Sequence, residues 1–534
     1  MIVIVICSVP VLAQRDVHVG TPRPASIAYP GVQPYVVETQ SDVDNLPDDV
    51  TYVKLATLEM EPLEGLQRFK KLTTLMLGHR KGGELFTPDA FILLSKLTQL
   101  RSVCLGHAED DPASYWTARL NDEFFGSPES FAFLEELSVD WGIYCDRDFF
   151  ENVGQLPGLR ALNIANIEEG IPEEDVALAF RSDSRLERVR VYSYNKRGTG
   201  GLLAEAIADL PYLTELTLDG YWREGTLKSV SNCPKLRALY LGYMNYEGNS
   251  TAGSLALSKL QFLQILYVTQ GGLDNDALAV AAASMPALEE LFLLKGDHGT
   301  KGQLKEKGLS ALAASKSLRV FSVSNNKPLA EGSIGALARI ESLESVVLRF
   351  METTDNDLKE LSRSKSISEL VLIGAQTVSD VGLSYLSQMK SLRVLRHLRN
   401  EYVTAGDDGV CRVTDAGVAG LLESNQILET LYLLMVPTLT TKTFALMGSH
   451  PALQELGLEW CNLDAEGSKA LQASKTIKRL TCTKPKNVEG FAKALAGIDS
   501  LDELRFRYVA DDWPPLIELR KLRPKLDIKL LTLS

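Results

Sequence analysis

Between Leu343 and Cys482 one apolar phrase recurs at a fixed interval. It reads Leu343, Val346, Leu348; Ile367, Leu370, Leu372; Leu428, Leu431, Leu433; Leu453, Leu456, Leu458; and Ile477, Leu480, Cys482. A further copy starting at Leu392 keeps Leu395 and places His397 at the last apolar position. A period of roughly 25 residues restricts the chain to a repeat architecture, in which one short strand per repeat stacks on the next as a parallel sheet. Alternate residues of a strand point to opposite faces, so Leu456 and Leu458 enter the core while Gly457 and Glu459 face outward. One face joins repeat to repeat, and the other is left for display.

The phrase also appears at Leu72, Leu100, Leu134, Leu159, Leu186, Leu213, Leu236, Leu263, Leu288 and Leu318, with a last copy at Leu501. The mean step is about 27 residues, within the range of leucine-rich repeats. A solenoid grows without a second core, because each repeat packs only on its neighbours. The 534 residues therefore read as one leucine-rich repeat solenoid over residues 46–534, with about 17 or 18 repeats. The expected fold class is α/β: a horseshoe with a parallel concave sheet and short convex helices. Two long steps mark insertions near 106–130, with Glu109, Asp110, Asp111, Tyr115 and Trp116, and near 398–414, rich in Gly and Asp. Both are expected as loops protruding from the solenoid edge.

After the strand comes a helix-like stretch: Asp380, Gly382, Leu383, Leu386 in one repeat and Asp415, Gly417, Val418, Leu421 in the next. Its apolar spacing, with an Asp before the run, suits a short capped helix. The phrase starting at Leu453 continues to Cys461 and Leu463. Together with the V-[ST]-D-x-G-[LV] pattern, this resembles the cysteine-containing, F-box-associated subclass of leucine-rich repeats and, more broadly, the ribonuclease-inhibitor-like superfamily. The resemblance implies a horseshoe that binds proteins on its concave sheet, and it implies no catalysis. Leu46 to Val50 is similar to the opening of an F-box, but about twenty residues before the Leu72 strand are too few for that domain, and Val50, Val53 and Leu55 fit a first repeat strand.

Composition narrows the partners. With 56 basic and 69 acidic residues the net charge is -13, and no long basic run is present, which argues against nucleic acid or an anionic membrane as the main partner. Residues 1–13 hold an apolar run, Ile2 to Ile6 then Val9, Val11, Leu12 and Ala13, too short to span a bilayer. It is expected to be a secretory signal with the mature start at Gln14, although no Lys or Arg precedes it. Residues 14–45, with Pro22, Pro24, Pro30 and Pro34, read as a mobile leader. The remaining cysteines are scattered, and Cys461 and Cys482 fall at core positions.

Outward positions along the sheet bring Tyr240, Tyr267 and Phe292 into three consecutive repeats, with Tyr192, Tyr194 and Tyr243 nearby. Strands about 4.8 Å apart would align these rings into a strip, a large contact area at low entropic cost. Stacking across a ladder without a ligand is the alternative. His79 and His107 hold equivalent places near Glu109 to Asp111, but a metal site needs a third ligand at defined spacing, and none is expected. Asp407 and Asp408 lack the alternating calcium-loop spacing, and Gly198 to Gly201 lacks a phosphate-loop context. No catalytic residue and no cofactor is expected.

The sequence thus points to a non-enzymatic, exported scaffold recognising a protein or glycan. The rivals are an intracellular F-box-like substrate receptor or assembly scaffold in ubiquitin-type turnover, and an enzyme with a site in the inserted loops. Oligomeric state and ligand identity are left open.

Overall fold

The computed structural model describes residues 34–56, 60–79, 88–107, 118–120, 125, 127–139, 143–167, 171–193, 199–223, 225–247, 250–269, 272–294, 304–324, 329–330, 332–398, 411–485 and 487–531. They form two compact units, one running to Leu288 and the other from Glu289 onward. Each unit is a run of parallel strands alternating with short helices, the architecture of a leucine-rich repeat solenoid.

In the first unit the sheet runs through β1 (Tyr35–Val37), β2 (Tyr52–Leu55), β3 (Thr74–His79), β4 (Ser102–His107), β6 (Glu136–Val139), β8 (Ala161–Ile167), β9 (Arg188–Ser193), β10 (Glu215–Arg223), β11 (Ala238–Glu247) and β12 (Ile265–Thr269). Two strands, β5 (Ala118–Leu120) and β7 (Ile143–Cys145), pair separately. The second unit holds β13 (Glu290–Leu294), β14 (Val320–Ser324), β15 (Ser345–Arg349), β16 (Glu369–Ile373), β17 (Val394–Leu398), β18 (Thr430–Leu434), β19 (Glu455–Glu459), β20 (Arg479–Thr483), β21 (Glu503–Arg507) and β22 (Asp527–Leu531), each parallel to the next.

Register follows the apolar phrase. Leu348, Leu372, Leu433 and Leu458 occupy one row of the second unit, interrupted at His397, and all four are buried. Each fully buried leucine contributes about 1.5–3 kcal/mol, and the row supplies one per repeat.

The D-x-G pattern has a physical meaning that its spacing does not reveal. The helix N-caps are Ser379 and Thr414, and Asp380 and Asp415 stand one place later as the first helical residues. Their carboxylates reach across to the next repeat. Asp380 accepts from the Thr414 backbone N–H at 2.7 Å and hydroxyl at 2.6 Å, and Asp415 accepts from the Thr440 N–H at 2.7 Å and hydroxyl at 3.0 Å. Asp355 holds Ser379 in the same way. The glycine follows from this joint, since a Cβ on Gly417 would lie 2.0 Å from Asp380 Oδ1 and one on Gly382 2.4 Å from Asp355 Oδ1. The Asp is therefore a link between repeats rather than the cap of its own helix.

A second recurring device ends the strands. Seven residues after the first apolar position, Phe350, Gly374, Met435, Trp460 and Tyr508 all adopt left-handed backbone, with φ between 50° and 75°. Phe350 and Met435 still donate to the neighbouring strand, to Ile373 O at 2.7 Å and Glu459 O at 2.8 Å, so the turn begins while the ladder continues. Glycine adopts this conformation freely, whereas each side-chain-bearing residue costs about 1–2 kcal/mol there.

Two local outcomes differ from expectation, and a third expectation falls outside the described residues. Part of the segment read as a leader is ordered: β1 pairs with β2, and the helix Gln40–Asp44 is closed by a capping box between Thr39 and Asp42. Its strand is too short for periodicity to show, and the box uses Asp where Glu or Gln is the usual signal. The first insertion does not wholly protrude, because Phe125 is fully buried, with ring centroids 4.7 Å from Phe131 and 6.3 Å from Phe149. An aromatic anchor inside an acidic stretch carries no periodic signal. The core of the second insertion, residues 399–410, with Asp407 and Asp408, lies outside the described residues.

Candidate binding surface

Reading the outward positions across the first unit gives a row Asn163, Arg190, Thr217, Tyr240, Tyr267, each in register with the next. Two residues further along the strands a second row pairs Tyr192 with Asp219 and Asp219 with Gly242. Alternation alone fixes both rows, since positions two apart share a face.

Tyr240 and Tyr267 meet as a tilted pair, centroids 5.9 Å apart and planes at 50°. Tyr240 is 5 % exposed and Tyr267 half-buried, so Tyr240 acts as the base of the patch and Tyr267 as its accessible part. Tyr192 is also half-buried. Tyr243 lies in β11 by its backbone, but its side chain, like all of Tyr194, falls outside the described residues. Phe292 belongs to the second unit and is fully buried there.

Beside the tyrosines stands an ion pair. Arg190 Nη2 lies 3.3 Å from Asp219 Oδ2, with the arginine side chain 45 % exposed and the aspartate 15 %. Asp219 folds over Gly242, where a Cβ would come 1.7 Å from Oδ1. Burial pushes the Asp219 carboxyl above the ordinary carboxylate value, and Arg190 opposes the shift. The signal for this pair was present in the sequence as the same alternation read one step further.

The face is not uniformly open. In the first unit Met76, Cys104 and Ser138 are buried at the equivalent outward position. In the second unit Ser322, Val347 and Val371 are fully buried there, and Arg396 and Tyr432 are each 5 % exposed. Charges occupy much of this second face. Glu455 lies 2.9 Å from Arg479 and 3.7 Å from Arg396, whose guanidinium sits 5.5 Å above the Tyr432 ring. Glu459 pairs with Arg507 at 2.9 Å, with both side chains under a tenth exposed, and accepts from the Tyr432 hydroxyl. Burial and the adjacent Glu459 charge push the Tyr432 phenol well above its usual value.

Other candidates are placed as follows. The ladder sets His79 beside His107 by backbone register, and the acidic residues expected near them lie outside the described residues. Among the described residues no group of three or more His, Cys, Asp or Glu side chains is arranged to hold a metal. Of the glycine-rich stretch, Thr199 bridges to Trp222, Gly200 is the N-cap and Gly201 opens the helix Gly201–Ala208, while Gly198 lies outside the described residues. Cys461 is buried, its thiol donating towards Leu433 O at 3.4 Å and Glu459 O at 3.3 Å, and burial raises its pKa to about 12. No described helix is long and apolar enough to cross a membrane.

No family model matches the chain, and no curated protein matches it. Among solved structures, the chain is similar to an internalin, inlF of Listeria monocytogenes, at 16% identity and a TM-score of 0.39, covering 66% of this chain and 82% of that one.

Proposed function

We propose that the chain is a non-enzymatic recognition protein that holds a protein partner against the sheet face of its first unit. The observation carrying this reading is the patch of Tyr192, Tyr240 and Tyr267 beside Arg190 and Asp219. It joins partly open aromatic rings with an exposed guanidinium, residue types enriched at protein interfaces. Tyr194 and Tyr243 extend the same expectation along the first unit, whereas Phe292 is buried in the second and is not part of this face. Rows of side chains set at strand spacing give a rigid surface that need not be ordered on binding. Export belongs to the same proposal and is supported by the apolar run from Ile2 to Ala13.

The test is affinity capture with purified protein and with a Tyr192→Ser/Tyr267→Ser variant. Capture should fall at least tenfold while the melting temperature stays within a degree or two, because neither ring is deeply buried. A variant that retains the same proteins would remove this face from consideration. Sequencing the N-terminus of secreted protein checks export, with Gln14 expected first.

A further inference from the structure

We propose that the outer edge of β22, in the second unit, pairs antiparallel with the same edge of a second copy of the chain. Among the described residues β22 pairs with β21 alone. The Asp527 N–H donates to Asp502 O at 3.1 Å, towards β21. Backbone groups of a parallel ladder alternate sides along the strand, so those of Ile528 and Leu530 point to the opposite edge, where no described strand receives them. The side chains there are equally uncovered. Leu504 and Phe506 of β21 are buried, whereas Ile528 and Leu530, their register partners in the core row, remain partly exposed.

The strand's own sequence selects the occupant. Leu526 to Leu530 reads Leu-Asp-Ile-Lys-Leu, which matches itself on reversal with its two charges exchanged. Laid antiparallel about Ile528, it sets Asp527 opposite the second copy's Lys529 and Lys529 opposite the second copy's Asp527. Ile528 then meets Ile528, and Leu526 meets Leu530. Opposite charges directly across a ladder are favourable and like charges unfavourable. A slip of two residues either way sets Asp527 against Asp527 or Lys529 against Lys529, and a slip of one turns the core row of one copy against the outward face of the other.

The backbone agrees with this register. The groups of Ile528 face the open edge, so the two central isoleucines exchange N–H and C=O, and each Leu530 N–H meets the second copy's Leu526 C=O. The Leu526 N–H is already given to Arg523 O at 3.1 Å, which ends the pairing there. Both charges are accessible, with side chains 58 % exposed at Asp527 and 49 % at Lys529. Lys529 lies 2.9 Å from Glu503 and 3.2 Å from Asp527 of its own strand. An ammonium has three donors, so it can keep Glu503 while meeting the second copy's carboxylate. So short a strand pair covers less than the roughly 1,200–2,000 Å² of a stable interface, and the expected dissociation constant is on the order of 10–100 µM.

Sedimentation velocity of the full chain, from about 1 to 500 µM, tests the pairing, and one reversible monomer–dimer equilibrium is expected. Asp527→Lys sets like charges opposite each other and should weaken the dimer at least tenfold, with an unchanged circular dichroism spectrum because the side chain is exposed. The exchange Asp527→Lys/Lys529→Asp restores opposite charges across the pair, keeps a lysine beside Glu503, and should dimerise within threefold of the parent. The proposal is overturned if the chain stays monomeric throughout, or if Asp527→Lys dimerises as the parent does. It is equally overturned if the double exchange stays as weak as the single variant. Growth beyond the dimer, as head-to-tail pairing of β22 with β1 would give, overturns it too.

Discussion

At the scale of single residues, the joint between repeats is the most exacting feature of the chain. Gly417→Ala drives a methyl group against Asp380 Oδ1, and the expected loss is about 1–3 kcal/mol, read as a lower urea midpoint with an unchanged slope. Glu459→Gln removes the carboxylate charge that pairs with Arg507 and accepts from the Tyr432 hydroxyl on the buried part of the sheet face. Breaking a buried pair from one side costs about 3–5 kcal/mol, and the same urea titration would show it. Legibility at this scale was uneven. The glycine and aspartate of D-x-G were visible as a pattern, but their role depends on a carboxylate from the preceding repeat that no spacing within one repeat reveals. The left-handed residues were invisible, because Phe350, Met435, Trp460 and Tyr508 are types that no turn rule selects. The tyrosines were found by counting outward positions, and counting could not tell that Tyr240 is sunk while Tyr267 stands open.

At the scale of elements, strands were legible and their environments were not. Core positions such as Leu348 and Leu456 are dictated by alternation, whereas burial of Val347, Arg396 or Glu459 on the opposite face depends on what surrounds them. In some repeats a polar residue stands three places before the first apolar position and receives a backbone N–H bond: Ser315 from Leu318 at 3.3 Å, Ser364 from Ile367 at 3.2 Å and Ser474 from Ile477 at 3.0 Å. His450 fills this place between two strands. Its Nδ1 accepts from the Ala452 N–H at 3.3 Å, so the ring is neutral, with its proton on Nε2 donated to Asn425 O at 2.8 Å. Burial holds the ring pKa below 6.5, and the Asn425 carbonyl opposes the shift. A depressed folded-state value means that this stabilisation is complete above the unfolded value and is lost as pH falls through the folded one. The melting temperature should therefore drop between pH 7 and pH 5, and His450→Ser, which copies Ser474 of the following repeat, should flatten that drop. An unchanged slope in the variant would place the acid sensitivity elsewhere.

At the scale of the molecule, each strand of such a sheet covers the edge of the one before it. β22 lies on β21 and carries Asp527 and Lys529, with Lys529 2.9 Å from Glu503 of β21. Deleting residues 526–534 would uncover β21 with its buried Leu504 and Phe506. The expected result is a lower melting temperature and concentration-dependent association, measured by calorimetry and light scattering. The bond from Asp355 to Ser379, from Asp380 to Thr414 and from Asp415 to Thr440 means that every repeat in this stretch carries half of a fitting whose other half is encoded one period away. A gene duplication or deletion that cuts at the same point of two such periods restores every fitting, and one that cuts out of phase leaves a carboxylate facing no hydroxyl. Whole repeats can thus be gained or lost through inheritance while the local chemistry of every joint stays intact, and the longer Asp380–Thr414 span accommodates an insertion between two intact halves.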